Sequence, residues 1–398
     1  MKNKPRYLTA VVIILLLVLQ VQKISAIPAF ARKYQISCQV CHSPVARLKP
    51  FGDEFAGNGF RLTEYESPRY YIPVGDDKLS LFRELPIAIR FDGITTLNFD
   101  NKGSVDFGTP FGLKLLSAGE LSSKLSYYFY FFMSEAGEIV GLEDAFLMYH
   151  DLFGTGLNFY IGQFQACDPI YKRELRLTLE DIHILTTTPG NSTVSLEYER
   201  GIMFDYEIPK LKTQLVAEIV NGSGIGNASE EFLFDKDKYK NVMGRISQPV
   251  GENINISFFG YSGRELINEV PSVVTSNIRM FGPGLNLYLN DKFNVNLQYI
   301  KRTDSHVYIE SDDSYVDDAK TQGAFCEMIY TPKGDNSNWY LTGLLNWVDS
   351  DLRELDYKSA TIHAGYILRR NVRLFSEFTY LSADGEYGKF SLGFVSAF

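Results

Sequence analysis

Apolar and polar residues alternate along most of the chain, from about Leu85 to the C-terminal end. The segments 195–208 (SLEYERGIMFDYEI) and 212–220 (KTQLVAEIV) show this period of two clearly. Side chains of a β-strand point alternately to opposite faces, so this period is typical of strands with one apolar face. About sixteen such segments follow one another, most of them about ten residues or longer, separated by turn sequences. The pattern therefore predicts a mainly β protein.

The length of these segments separates two β architectures. A soluble sandwich also alternates, but its strands are shorter and recur every 8–12 residues. Long alternating strands in an even number, with 25 Tyr and 29 Phe, are typical of an outer-membrane barrel. The chain also ends on Phe398 at the close of an amphipathic segment, which resembles an outer-membrane assembly signal. We predict a transmembrane antiparallel β-barrel over residues 85–398, with a soluble β protein as the alternative.

The first 26 residues show no alternation and consist of a basic start followed by an apolar run. Lys2, Lys4 and Arg6 precede the apolar run 8–21, and Ala26 offers a small residue for cleavage. A run of about 14 apolar residues is too short for a membrane anchor, so residues 1–26 are predicted to be a signal peptide. The chain is therefore expected to be exported. Its formal net charge of −9 argues against a nucleic-acid partner.

Residues 27–84 lack the period of two. After His42, apolar residues recur three and four positions apart (Val45, Leu48, Phe51, Phe55), which predicts a helix. We expect this helix to begin near Pro44 and to end at Gly57 or Gly59. An extended linker follows and leads into the barrel.

The segment contains the pentapeptide Cys38-Gln-Val-Cys41-His42. At this spacing two thiols can add to the vinyl groups of a haem while the next residue binds its iron. A zinc site would need two further ligands, and residues 27–84 contain no other Cys or His. The motif therefore predicts one covalent haem c held by Cys38 and Cys41, with His42 as the proximal ligand; a disulfide beside a histidine is the alternative.

The distal iron ligand is not evident, because no Met or His lies between Ser43 and Glu84. Weak candidates are the residues that strand parity places on the polar face: Met203, Met243 and His363. His150 and His183 are also possible ligands, by proximity to the charged connection 167–193, which contains His183. Cys167 and Cys326 are expected to be free thiols or incidentally paired.

Two charged stretches stand out among the connections. The connection 167–193 is long and rich in Lys, Arg, Glu and Asp. It could fold inward to constrict the pore or extend outward as an ordinary loop, and the sequence leaves both open. The stretch 310–320 carries Asp312, Asp313, Asp317 and Asp318, which could attract cations but is more typical of a solvated loop.

The motif and its surroundings resemble the haem segment of outer-membrane monohaem cytochrome–porin fusions, a family that includes oxidisers of extracellular Fe(II). The matching residues are Phe30, Ala31, Arg32, Cys38, Cys41, His42, Pro44, Leu48, Phe51, Gly52, Phe55, Asn58, Gly59 and Phe60. The specific resemblance covers about 35 residues; over the barrel it is architectural. It implies that a small haem domain plugs or caps a barrel of about sixteen strands and that electrons cross the outer membrane through it.

These observations favour an electron-transfer protein of the outer membrane, with the haem segment on the periplasmic side or inside the barrel. Its expected partners are outer-membrane lipid, a periplasmic electron carrier, and an extracellular metal ion or other redox partner, with Fe(II) favoured. The alternatives are a porin whose haem segment plugs or gates the pore and a periplasmic haem-binding protein. The remaining chain shows no nucleophile–base constellation and no phosphate loop, so a hydrolase has no support.

Overall fold

The computed structural model describes residues 29–44, 46–62, 86–99, 103–268, 273–309, 314–383 and 385–398. The predicted signal peptide 1–26, Val45 and most of the linker lie outside these ranges. Within them, no helix is long and apolar enough to cross a membrane.

Sixteen antiparallel strands close into one barrel, which confirms the predicted fold class and strand number. Each strand pairs with its neighbours in the sequence, and the last strand pairs with the first. The closing contact extends to the chain end, where the Phe398 amide donates to the Ile89 carbonyl at 2.8 Å. The strands are β1 Ile87–Asn98, β2 Ser104–Ser122, β3 Leu125–Glu135, β4 Gly141–Leu152, β5 Leu157–Gln165, β6 Tyr198–Ile208, β7 Thr213–Val220, β8 Asn241–Val250, β9 Ile254–Asn268, β10 Val273–Leu289, β11 Phe293–Ile309, β12 Ser314–Tyr330, β13 Trp339–Ser350, β14 Tyr357–Arg369, β15 Val372–Ala383 and β16 Gly385–Ala397.

The apolar face of the strands points outward. Leu215 and Ile219 of β7 are 37% and 41% exposed, whereas Glu218 between them is 1% exposed. On β14, Ile362 is exposed and His363 is fully buried. An apolar exterior around a polar interior suits a barrel surrounded by lipid, because only the outward side chains meet the hydrocarbon.

The two ends of the barrel differ. One end, here called the termini end, carries the start of β1, the end of β16 and the hairpin turns 123–124, 153–156, 209–212, 251–253, 290–292, 331–338 and 370–371. The opposite end, the loop end, carries the longer connections 166–197 and 221–240.

The connection 166–197, here called the inner loop, folds into the lumen. The amides of Leu179 and Glu180 donate to the Glu377 carboxylate on β15 at 2.7 and 3.0 Å. At its other end, the Arg302 guanidinium on β11 donates to the Val194 carbonyl at 2.7 Å. These contacts decide between the two interpretations of the charged connection in favour of the inward one.

The N-terminal segment 29–62, here called the plug, consists of helix α1 (Ala29–Tyr34), a 3₁₀ turn (Cys38–Val40) and helix α2 (Pro50–Gly57). The predicted helix is therefore real but begins at Pro50 rather than near Pro44. The residues before it form a tight loop instead, with the Lys49 amide donating to the Cys41 carbonyl at 2.8 Å. Pro50 occupies the first helical turn, where a missing N–H costs nothing.

Candidate functional site

The two cysteines lie one turn apart at the start of the plug's central loop. The amides of Cys41 and His42 both donate to the Cys38 carbonyl, at 3.2 and 2.9 Å, which fixes the three residues in one turn. The structure describes all four cysteines of the chain, and each is a free thiol. Cys38 and Cys41 are half-buried, and burial raises the pKa of both thiols. The pair is thus two neutral thiols on one turn rather than a disulfide.

His42 is oriented by backbone contacts. Its Nδ1 lies 2.8 Å from the Ala46 carbonyl and 3.3 Å from the Arg47 carbonyl. A carbonyl oxygen only accepts, so Nδ1 carries the proton and Nε2 keeps its lone pair. Burial lowers the pKa of His42, which favours the neutral ring. An imidazole whose Nδ1–H is tied to a carbonyl is the usual arrangement of a metal-binding histidine.

A cavity of about 630 Å³ lies between the plug and the barrel wall, and Cys38, Cys41 and His42 line it. Its wall is largely aromatic and apolar, with Tyr128, Phe146, Tyr160, Phe164, Met148 and Met203. Six arginines also line it: Arg47 of the plug and Arg90, Arg245, Arg369, Arg370 and Arg373 of the barrel. This volume falls in the range of cofactor sites, about 300–1,000 Å³. Free thiols, an oriented imidazole, an apolar wall and cations for carboxylate groups together fit a covalent haem.

The structure places one of the three weak distal candidates in this cavity. Met203 lines it, whereas Met243 lies in a separate apolar cluster beneath the inner loop. His363 is also elsewhere, bonded to Glu377 at 2.9 Å through Nδ1 and to Tyr340 at 3.2 Å through Nε2. Those bonds occupy both ring nitrogens of His363, and neither His363 nor Met243 lines the plug cavity.

Sequence reasoning missed Met148, whose side chain is 3% exposed and lines the cavity. Met148 and His150 are two residues apart on an alternating strand, so both side chains lie on the same face. Placing polar His150 on the inner face would therefore have placed Met148 there too. The two further histidines are engaged: His150 Nε2 contacts Ser126 Oγ at 2.7 Å, and the His183 ring stacks on Tyr357 at 3.8 Å.

Aromatic stacking docks the plug on the wall. The Phe60 ring stacks between Phe30 of α1, at 4.9 Å, and Tyr128 of β3, at 5.4 Å. The Tyr128 ring stacks in turn on Phe146 of β4 at 5.2 Å. Gly59 adopts a φ of +68° next to this stack, and a Cβ there would lie 2.1 Å from His150 Nε2. The plug therefore approaches the wall more closely than any other residue type would permit.

Ion pairs attach the plug to the opposite wall. Arg47 pairs with Glu327 of β12 at 3.6 Å, and the two side chains are 14% and 2% exposed. Lys49 pairs with Asp335 in the turn between β12 and β13. All these contacts lie toward the termini end, so the plug closes that mouth of the barrel.

A second cavity, of about 530 Å³, lies beside the inner loop and is strongly charged. Arg173 binds Asp181 through two nitrogens, at 2.9 and 2.6 Å, and the pKa of that carboxyl falls to about 2 beside Arg176 and Arg173. Glu174 pairs with Lys114 of β2 at 3.4 Å, and both residues line the two cavities. Charged groups of both signs thus separate the plug cavity from the loop side of the lumen.

The remaining candidates show no metal-binding arrangement. Among the residues that the structure describes, no group of three or more His, Cys, Asp or Glu side chains could hold a metal ion. Asp312 and Asp313 lie outside those residues, and Asp317 and Asp318 are exposed. Cys167 is fully buried in the inner loop.

The comparisons with known proteins concern the barrel. The sequence matches no family model and no curated protein. Three similar solved structures each cover 79% of this chain. They are an anion-selective porin from Comamonas acidovorans (10% identity, 99% of that chain, TM-score 0.55), OmpT from Vibrio cholerae (11%, 99%, 0.54) and the channel DcaP from Acinetobacter baumannii (13%, 97%, 0.53).

The barrel has the porin fold. At these identities the likeness extends to the fold alone. This similarity concerns the sixteen strands of the barrel. The assignment of a haem to the plug stays a prediction.

Proposed function

We propose that this chain is an outer-membrane electron-transfer protein: a porin-type barrel whose plug carries one covalent haem c. Cys38 and Cys41 hold the haem, and His42 Nε2 binds its iron. Electrons pass between an extracellular donor or acceptor, with Fe(II) favoured, and periplasmic carriers. The observation that carries the proposal is the His42 ring, whose Nδ1 is tied to the Ala46 carbonyl beside two free thiols at a cavity of about 630 Å³.

A bound haem supplies a one-electron couple whose potential depends on its axial ligands and its burial. The protein side chains have separate tasks around it. The Ala46 and Arg47 carbonyls hold the imidazole in one tautomer, and the stacked rings of Phe60 and Tyr128 exclude water from the wall. Arginines on the strands and on the turn 370–371 can pair with the haem carboxylates. Met203 or Met148 is available for the distal position.

The position of the plug supports an exchange of electrons with periplasmic carriers. Porin-type barrels place their short turns on the periplasmic side and their longer loops outside. By that rule the termini end faces the periplasm, and the plug presents the proposed haem to soluble carriers there. The charged lumen beside the inner loop then faces the exterior.

A porin with a plugged or gated pore is the second candidate. The porin fold, the inward loop and the charged cavity beside it favour this function. The Comamonas protein is an anion-selective porin. Here charges of both signs line the second cavity, where Arg173 pairs with Asp181 and Arg176 pairs with Glu174. A conducting barrel without electron transfer would favour this candidate.

The first experiment tests the cofactor. Haem staining of a denaturing gel should show a stained band for the wild type, because covalently attached haem stays with the denatured protein. The band should be weak or missing in His42→Ala, and Cys38→Ala should lose normal two-thioether attachment. Matched controls are His306→Ala on β11 and Cys326→Ala on β12, because neither residue lines the plug cavity. An unstained wild-type band would overturn the proposal.

The second experiment tests the activity. The purified protein is placed in liposomes that enclose an impermeant electron acceptor, and Fe(II) is added outside. We expect reduction inside with the wild type and none with His42→Ala. Ion conductance without reduction, for a barrel that stains for haem, would leave the porin as the function.

A further inference from the structure

Four of the chain's seven methionines occupy a single row of the inner wall. Strand register places each residue of this row directly opposite the next, across neighbouring strands. The row consists of Met148 (β4), Tyr160 (β5), Met203 (β6), Glu218 (β7), Met243 (β8), Tyr261 (β9) and Met280 (β10). Neighbouring strands are about 4.8 Å apart, so these six steps extend about 29 Å along the wall. Thioethers therefore recur at every second strand along this row, with one carboxylate among them.

Glu218 has an unusual environment at the centre of the row. It is 1% exposed, and among the described residues neither carboxylate oxygen has a hydrogen-bond partner. The charged groups that act on it most, Asp168 and Glu199, are themselves acidic. An isolated carboxylate in such a place costs several kcal/mol unless a cation or a proton neutralises it. The site therefore calls for a positive charge that the described residues do not supply.

The flanking residues indicate which cation would suit. Met203 and Met243 lie directly opposite Glu218 on its two sides, with Cβ separations of about 4.5–5.5 Å expected for such pairs. Thioether sulphur is a soft ligand that selects Cu(I) over hard cations. The methionine side chain is long and flexible, so two thioethers can close on an ion held by the carboxylate between them. Met203 also lines the plug cavity, which gives an ion a path to the site.

We propose that Met203, Glu218 and Met243 form a binding site for Cu(I), a soft monovalent cation. The two thioethers supply sulphur ligands, and the carboxylate supplies the compensating charge. Glu218 and Met243 lie outside the cavity that His42 lines, and Met203 lies at its edge. The site assigns Met203 to the copper ion, which leaves Met148 for the distal position of the proposed haem.

The test uses the haem-loaded protein in a background of Cys167→Ala and Cys326→Ala, so that the two thiols outside the plug cannot hold copper. Cu(I) is titrated without oxygen against a chromogenic chelator, and copper X-ray absorption counts the sulphur neighbours. The key variants are Met243→Leu and Glu218→Gln. The control is Met328→Leu, which alters a methionine on the outer surface.

We expect the background protein to bind one Cu(I) with two sulphur neighbours and one or more oxygens. Met243→Leu and Glu218→Gln should each weaken binding at least tenfold, and Met328→Leu should leave it unchanged. Haem staining and unfolding temperature confirm that each variant is loaded and folded. Equal affinity in all four proteins, or no binding in any, would overturn the site and leave Glu218 as a neutral buried acid among packing methionines. Neither result would touch the haem proposal, whose staining and liposome tests use no copper.

Discussion

Replacement of Gly59 by alanine should undock the plug from the barrel. Gly59 has a φ of +68°, and an added Cβ would lie 2.1 Å from His150 Nε2 and 2.2 Å from Ser126 Oγ. These two groups cannot easily move aside, because they bond each other at 2.7 Å and are 4% and 1% exposed. In Gly59→Ala the backbone is therefore strained, the His150–Ser126 pair is displaced, or the plug separates from the wall.

The magnitude follows from two contributions. The left-handed conformation costs about 1–2 kcal/mol for a residue with a Cβ. Overpacking against a filled wall adds about 1–3 kcal/mol. Together these shift the docking equilibrium of the plug by about 2–5 kcal/mol, or roughly 30-fold to a few thousand-fold.

Hydrogen–deuterium exchange of residues 50–62 in detergent micelles measures the effect. The Phe60 amide donates to the Phe55 carbonyl at 2.8 Å, so its exchange should accelerate when the turn lifts off the wall. Gly57→Ala is the matched control, because a Cβ there meets nothing within 4 Å and the residue is helical. Wild-type protection in Gly59→Ala would refute the reasoning, as would equal acceleration in both variants.

Two further predictions concern charged groups. Glu327→Gln keeps the shape of its side chain but leaves the largely buried Arg47 without its counter-ion, which should cost about 3 kcal/mol of stability. Thermal unfolding in micelles measures the loss. The exposed Glu207→Gln is the control, and equal loss in both variants would contradict the prediction. The Asp181 carboxyl, with a pKa lowered from 3.8 to about 2, stabilises the inner loop by roughly 2 kcal/mol above pH 4. A depressed pKa means that this stability is lost as the pH falls from about 4 to about 2. Protection of the Ile182 amide, which donates to Asp181, should fall over that interval in the wild type when each rate is divided into the intrinsic rate at the same pH, and should show no such fall in Asp181→Asn. An unchanged wild-type profile would rule out this role.

The strands and their faces were predictable because lipid imposes a period of two on every strand. Burial of Glu218 beside exposed Leu215 and Ile219 is the same alternation that the sequence shows. The turn from Cys38 to His42 depends only on local spacing and was equally visible, whereas the haem that it predicts stays a prediction.

Other features depended on contacts between distant residues. The inner loop turns inward because Glu377 and Arg302, more than a hundred residues away, bind its backbone. Helix α2 begins at Pro50 because the His42 ring and the Cys41 carbonyl engage the preceding loop. Parity placed Met243 and His363 inside the barrel but could not give their depth or direction along the lumen.

The pairing of the first and last strands has a consequence for the order of biogenesis. The cavity beside the plug takes part of its wall from Ile89 at the start of the barrel and from Val395 and Ala397 at its very end. Its wall is therefore incomplete until translation, export and strand closure have finished. We expect Cys38 and Cys41 to be most accessible to an attachment machinery before closure, while the barrel is still an open sheet. Maturation of the plug would then precede folding, and closure would enclose a finished product.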